Sequence, residues 1–318
     1  MLKDLIILLV GFALLIKSSE YMIDSASNIA KVFKIPPFII GFSVIAFGTS
    51  APELIIGIIT GISKTNQITM GNVLGSTIAN IALVVGIAAI FKTIPIEKSI
   101  IRREIPLFIL SKSLLMLLLF VGGVLSRVDG VILLICFALF LFYIFNRLKA
   151  SIDVDEEDTS KEISDSPRKQ SNLILAAILL FSMAGVFLGG NFVVQSSTEI
   201  ARAFGISELV IGLTVVAVGT SLPELITTII SMLKNKSDIA IGNIIGSNIF
   251  NILLVLGTSS VIHPIPLSKG IQWDFILGFG AAALMVLLSV RKNQLKRPVG
   301  IILLLYYLGY ILLKILTN

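Results

Sequence analysis

The sequence predicts an all-α membrane protein of ten transmembrane helices, set out as two five-helix repeats of inverted topology. Three observations carry that expectation. Of the 318 residues 56% are hydrophobic and only 14% charged, with a mean hydropathy of +1.00, far from the roughly 25% charged residues of a soluble domain. Apolar runs near the roughly 20 residues that cross a bilayer recur along the whole chain. One long segment also occurs twice. A β-barrel would show strands of alternating polarity, whereas runs such as Leu114–Phe120 are apolar on every side.

Taken in order, the expected span cores are residues 2–20, 38–62, 68–91, 104–124 and 128–148, then 172–192, 208–232, 239–261, 272–290 and 298–316. The first lacks a small-residue cleavage site before the polar stretch 17–28, so it is read as a retained helix rather than a secretory signal. Lysines and arginines concentrate in alternate loops, among them Lys34, Lys92, Arg102, Arg103, Arg147, Lys234 and Lys236. The positive-inside rule therefore places those loops in the cytoplasm and both termini outside, in a cell membrane. The same distribution explains the net charge of +6 without nucleic acid, since the charges form no single patch. Lys112 falls inside the fourth span and is expected to snorkel toward the cytoplasmic interface. Cys136, the only cysteine, excludes an internal disulfide and a cysteine metal cluster.

Residues 38–90 align without a gap on residues 209–261, at an offset of 224 − 53 = 171, with roughly two dozen identities. The first copy reads Gly48-Thr49-Ser50-Ala51-Pro52-Glu53 and later Gly71-Asn72-Val73-Leu74-Gly75-Ser76-Thr77-Ile78-Ala79-Asn80. The second reads Gly219-Thr220-Ser221-Leu222-Pro223-Glu224 and Gly242-Asn243-Ile244-Ile245-Gly246-Ser247-Asn248-Ile249-Phe250-Asn251. Five spans per half, an odd number, make the second copy enter the membrane from the opposite side. The units expected are residues 1–149 and 172–318, joined by a polar cytoplasmic linker over 150–171. Its acidic run 153–158 lacks the glycine and terminal glutamate of an EF-hand loop.

Glu53 and Glu224 are the acidic residues set deep in predicted spans, where an ionised carboxylate costs about 2.5–3.5 kcal/mol or more. No Lys or Arg stands near either in the repeat, so the compensating partner expected is a bound cation. Thr and Glu four apart, and Ser and Glu three apart, put Thr49, Ser50 and Glu53 on one helix face, and Thr220, Ser221 and Glu224 on another. Pro52 and Pro223 have no N–H for the carbonyls of Gly48 and Gly219, which frees backbone oxygen at mid-membrane depth. On the following helix Asn72, Ser76 and Asn80 recur every four residues, matched by Asn243, Ser247 and Asn251, giving each glutamate a polar stripe to face. Gly71 with Gly75, and Gly242 with Gly246, are spaced for close helix approach. The donors are all oxygen, which suits calcium or sodium rather than zinc or copper.

The doubled motifs resemble the sodium/calcium exchangers of the cation/calcium antiporter superfamily, over essentially the whole chain. That resemblance implies an antiporter, not an enzyme, with no cofactor; its partners would be transported calcium and sodium ions and the lipid bilayer. It implies Glu53 and Glu224 as central ligands, with oxygens from Thr49, Ser50, Ser76, Thr220, Ser221 and Ser247, completed by Asn80 and Asn251. It adds the carbonyls of Ala46 and Ala217, where the prolines point to Gly48 and Gly219, so both pairs stand as candidates. It further implies alternating access, with the first and sixth helices sliding across the other eight, and three sodium ions exchanged for one calcium. Asn251 departs from those relatives that carry aspartate there, which removes a charge and argues against potassium coupling. A proton/calcium antiporter is the nearest rival reading and a passive cation channel a more distant one. His263, the only histidine, lies outside the motifs, and Ser50 and Ser221 lack a base partner.

Overall fold

The computed structural model describes residues 1–158, 172–206, 217–267, 270–290 and 293–317. The described residues fold into helices: α1 (Leu2–Val32), α2 (Pro37–Thr49), α3 (Ala51–Ile62), α4 (Gln67–Phe91), α5 (Lys98–Gly122), α6 (Arg127–Asp158), α7 (Asn172–Ala203), α8 (Ala217–Thr220), α9 (Leu222–Leu233), α10 (Ser237–Ile262), α11 (Ile271–Val290) and α12 (Arg297–Thr317). Among the described residues eight of these are long and apolar enough to cross a bilayer, and α2 with α3, bent by 44°, makes a ninth if the pair is counted as one span. Phe181, Phe142, Leu9 and Leu305 are among the large side chains left exposed on the outer helices, where lipid rather than water suits them. The protein is a multi-pass membrane protein. The expected span at 208–232 begins on residues outside those described; its described part is α8 and α9.

Two expectations about boundaries change. The polar stretch 17–28 does not end the first helix at the expected core 2–20, because α1 continues to Val32, and Lys17 pairs within that helix with Glu20 at 2.8 Å. Asp4 in its first turn and Lys31 in its last complement the helix dipole. Likewise α6 runs on past the expected boundary at 149 to Asp158, so the acidic run is helical; residues 159–171 of the expected linker lie outside the described residues.

The sequence repeat produces the same backbone break twice. Ser50 ends α2 with φ −88° and ψ 2°, and Ser221 ends α8 with φ −91° and ψ 2°. Pro52 and Pro223 follow two residues later, each in the first turn of the next helix, where a missing N–H costs nothing. Two matching π-helical turns begin at Asn80 and Asn251, and another covers Gly41–Ile45; such wider turns tend to mark functional positions inside helices.

Helices α4 and α10 form the centre: 83% and 94% of their membrane-spanning residues are buried, against 22–39% in the other long helices. Around them pack α2, α3, α5, α6, α11 and α12, while α1 and α7 pair with each other on one side. A Cβ added at Gly11 would meet Val193, one at Gly189 would meet the backbone of Leu15, and one at Gly185 would meet Ser18. The partner number falls as the glycine number rises, so α1 and α7 run antiparallel at close range. Gly242 and Gly246 lie against the carbonyls of Phe38 and Phe42 and so dock α10 parallel to α2. The first-half pair does not behave alike: at Gly71 a Cβ would meet nothing within 4 Å, and at Gly75 only the Tyr310 hydroxyl at 3.7 Å.

Among the described residues four two-residue strands close the loops. β1 (Ile94–Pro95) pairs with β4 (Gln294–Leu295), and β2 (Val124–Leu125) with β3 (Ile265–Pro266), both antiparallel.

Lys112 does not snorkel. It is 1% exposed, its ammonium has no hydrogen-bond acceptor, and it lies 5.4 Å above the Phe279 ring in a space that a side chain at Gly278 would fill. A lysine on α5 can reach water only if no neighbouring helix covers it, and α11 does. Replacing it with the similarly long, apolar methionine is expected to raise stability by about 1–3 kcal/mol, since an unsatisfied buried donor is removed. Thermal unfolding of Lys112→Met in detergent checks this; a lower melting temperature would show that the ammonium holds the helices together.

Candidate cation-binding site

The two helix breaks bring both glutamates to the middle of the bundle. Glu53, in the first turn of α3, and Glu224, in the first turn of α9, are both 0% exposed. They are close enough to act on each other electrostatically. Neither oxygen of Glu53 has a hydrogen-bond partner, nor has Oε2 of Glu224. Two unpaired carboxylates side by side, away from water and from any Lys or Arg partner, are not a stable structural motif by themselves. A cation placed between them would supply the missing charge.

The hydroxyls and amides of the repeat bond to one another across the halves, and one of them reaches Glu224. Ser50 Oγ donates to Glu224 Oε1 at 3.4 Å. Thr49 Oγ1 lies 3.1 Å from Asn243 Oδ1, 3.2 Å from Ser247 Oγ and 3.3 Å from the Ala46 carbonyl. Asn251 Nδ2 donates to Ser76 Oγ at 3.1 Å, and Asn80 Nδ2 to Asn248 Oδ1 at 3.4 Å. With their nitrogens so engaged, Asn80 and Asn251 keep Oδ1 without a partner. Every pairing here joins residues far apart in sequence except the Thr49 bond to Ala46.

Each polar stripe therefore serves the opposite half as well as its own: α10 presents Asn243 and Ser247 to Thr49 on α2. The glycines at 242 and 246 make this possible by letting α10 touch the backbone of α2. Ser221 is buried with an unpaired hydroxyl, and Thr220 is buried beside it. Ala217 opens α8. The Ala46 carbonyl already accepts the Ser50 N–H at 3.0 Å, whereas Pro52 offers the Gly48 carbonyl no N–H at all.

Asn72 is only half-buried, with its amide nitrogen unpaired, while its counterpart Asn243 is fully buried. Asn248 is the residue that the spacing of four missed. It stands one place off the α10 stripe, and the signal that finds it is the difference between the copies, asparagine here against Thr77 there. Thr77 turns its hydroxyl back to the Leu74 carbonyl at 2.8 Å, leaving Asn248 alone to cross the centre.

Two buried carboxylates brought together at broken helices, in a multi-pass bundle with buried hydroxyl and amide groups, fit a membrane ion transporter. The chain belongs to the sodium/calcium exchanger protein family, which matches residues 3–146 and 174–316. It is 37% identical to the putative antiporter CaxA of Alkalimonas amylolytica, over 98% of each chain. To the sodium/calcium exchanger MaX1 of Methanosarcina acetivorans it is 32% identical over 97% of each. A solved structure of the sodium-calcium exchanger NCX_Mj superimposes with a TM-score of 0.80 at 28% identity, covering 98% of both chains. Family and fold are those of a transporter, not of an enzyme.

Proposed function

We propose that this protein exchanges sodium for calcium by alternating access at one site shared between its two halves. The observation that carries the reading is the buried pair Glu53 and Glu224, which no cationic side chain among the described residues pairs with, and one of which accepts from Ser50. Two carboxylates balance one calcium ion, which takes about 6–8 oxygens. Thr49, Ser50, Ser76, Thr220, Ser221 and Ser247, with Asn80 and Asn251 and the carbonyls of Ala46 and Ala217, supply that number and leave neutral groups for sodium. Competition for shared ligands couples the two ions. The site needs no cofactor.

The ten spans form two inverted repeats. Support comes from α1 and α7, which occupy corresponding places 171 residues apart and run antiparallel in contact. The small strands agree: exchanging the halves turns the β1–β4 pair into the β3–β2 pair, as a two-fold axis requires. The glycine-lined α1–α7 pair, standing apart from the buried α4–α10 centre, is the unit that slides to open the site to either side. Both termini lie outside the cell membrane, with the basic loops and the linker in the cytoplasm.

Three sodium ions for one calcium move one net charge per cycle, so transport is electrogenic and gains about 2.3 kcal/mol per 100 mV. Asn251 supplies no third acid, which makes potassium unnecessary. Calcium-45 uptake into proteoliposomes under outward sodium, potassium or proton gradients tests the coupling. Uptake driven by sodium alone, and faster with the vesicle interior made positive, because three sodium ions leaving for one calcium entering carry one positive charge outward, is the expected result. Uptake driven by protons alone would replace sodium with a proton as the coupling ion.

A further inference from the structure

The repeat provides an internal control for every residue, and one face of α9 departs from it. Glu224, Thr228 and Ser231 lie four and three residues apart and so share a helix face. Seven residues rise about 10 Å from the central carboxylate toward the end of the helix. Thr228 and Ser231 are both 0% exposed, and neither hydroxyl has a hydrogen-bond partner. In the first half the same face is closed. Gly57 stands in place of Thr228, and a Cβ there would already meet Val255 at 3.0 Å. Thr60 stands in place of Ser231, and its hydroxyl is engaged by Thr69 and by the Ile56 carbonyl at 2.8 Å. Ala240 replaces Thr69 in the second copy, which leaves Ser231 without that partner.

Thr227, beside this face, is bonded to Ser19 of α1 at 3.3 Å, so the track is bordered by the helix proposed to slide. At its far end Lys234 holds Asp24 of α1 at 2.6 Å, and Lys92 donates to the Met232 carbonyl at 3.1 Å. The Lys234–Asp24 pair ties α1 to the end of α9.

We propose that Thr228 and Ser231 form a relay site for a partly hydrated hard cation, between the paired glutamates and the membrane face that bears Lys92 and Lys234. The inference rests on the exchanger reading given above. Neutral hydroxyls replace some of the ion's water without holding it as carboxylates would, which is the condition for passage rather than capture. The first half has no equivalent, so the two access routes differ chemically.

The test is Thr228→Val with Ser231→Ala, which removes both hydroxyls at nearly constant shape, reconstituted in one orientation. Sodium and calcium are titrated separately on each face, under whichever gradient drives uptake by the unaltered protein. Half-saturation on the Lys92–Lys234 face is expected to rise about tenfold for the ion that uses the relay, with the opposite face unchanged. Thr228→Ser, which keeps the hydroxyl, is expected to match the unaltered protein. No shift on either face, or an equal shift on both, overturns the relay. Unaltered protein driven only by protons would overturn the sodium reading and leave the calcium titration to decide the relay.

Discussion

Glu53→Gln and Glu224→Gln are each expected to reduce sodium-driven calcium uptake to the level of protein-free vesicles, a loss of at least about 100-fold. Glutamine keeps the size and one oxygen of the side chain but removes the charge that draws a divalent ion out of water, and a lost charge-assisted contact costs about 1.5–3 kcal/mol or more. The fold should survive, because a buried carboxylate without a partner is a burden to the empty protein. In ion-free detergent both variants are therefore expected to melt no lower than the unaltered chain. The unaltered chain alone should then gain stability with calcium, by about 2.7 kcal/mol at a concentration 100 times the dissociation constant. A variant that still transports at the normal rate would remove that glutamate from the site.

Gly246→Ala is expected to disrupt the protein, while Gly71→Ala, from the same motif and differing by the same single methyl, is expected to leave it intact. At Gly246 the new carbon would stand 2.3 Å from the Phe42 carbonyl oxygen and 2.7 Å from the Ala46 side chain, so the α2–α10 contact must open. Overpacking of this kind costs about 1–3 kcal/mol, and here it also pulls Asn243 and Ser247 away from Thr49. At Gly71 there is nothing within 4 Å to meet, and alanine favours a helix over glycine by about 0.5–1 kcal/mol. Melting temperature in detergent and calcium uptake in vesicles read both effects. Equal behaviour of the two variants would show that the α2–α10 contact is looser than the structure has it.

Much of the candidate site is legible in the sequence because its chemistry is local. A carboxylate three and four residues from Ser and Thr, behind a proline and within an apolar run, fixes helix face, membrane depth and charge together. The break at Ser50 and Ser221 follows from Pro52 and Pro223 in the same way. Asn248 was harder to find because its role depends on a partner in the other half, Asn80, and no spacing within one helix reveals such a pairing. Lys112 was misread for a related reason: snorkelling depends on whether water is within reach, and the covering helix α11 is 160 residues further along the chain.

By itself, the sequence determined the membrane class, the duplication, the two glutamates and the broken helices, since each arises from residues within a turn or two of one another or from plain hydrophobicity. The tertiary structure decided which half each polar stripe serves, which glycine pair carries a helix contact, how far α1 and α6 extend, and that only one of the two repeat faces keeps free hydroxyls. Those are contacts between helices, and they depend on the shape of the surface that each helix meets, which periodicity along one chain segment does not contain.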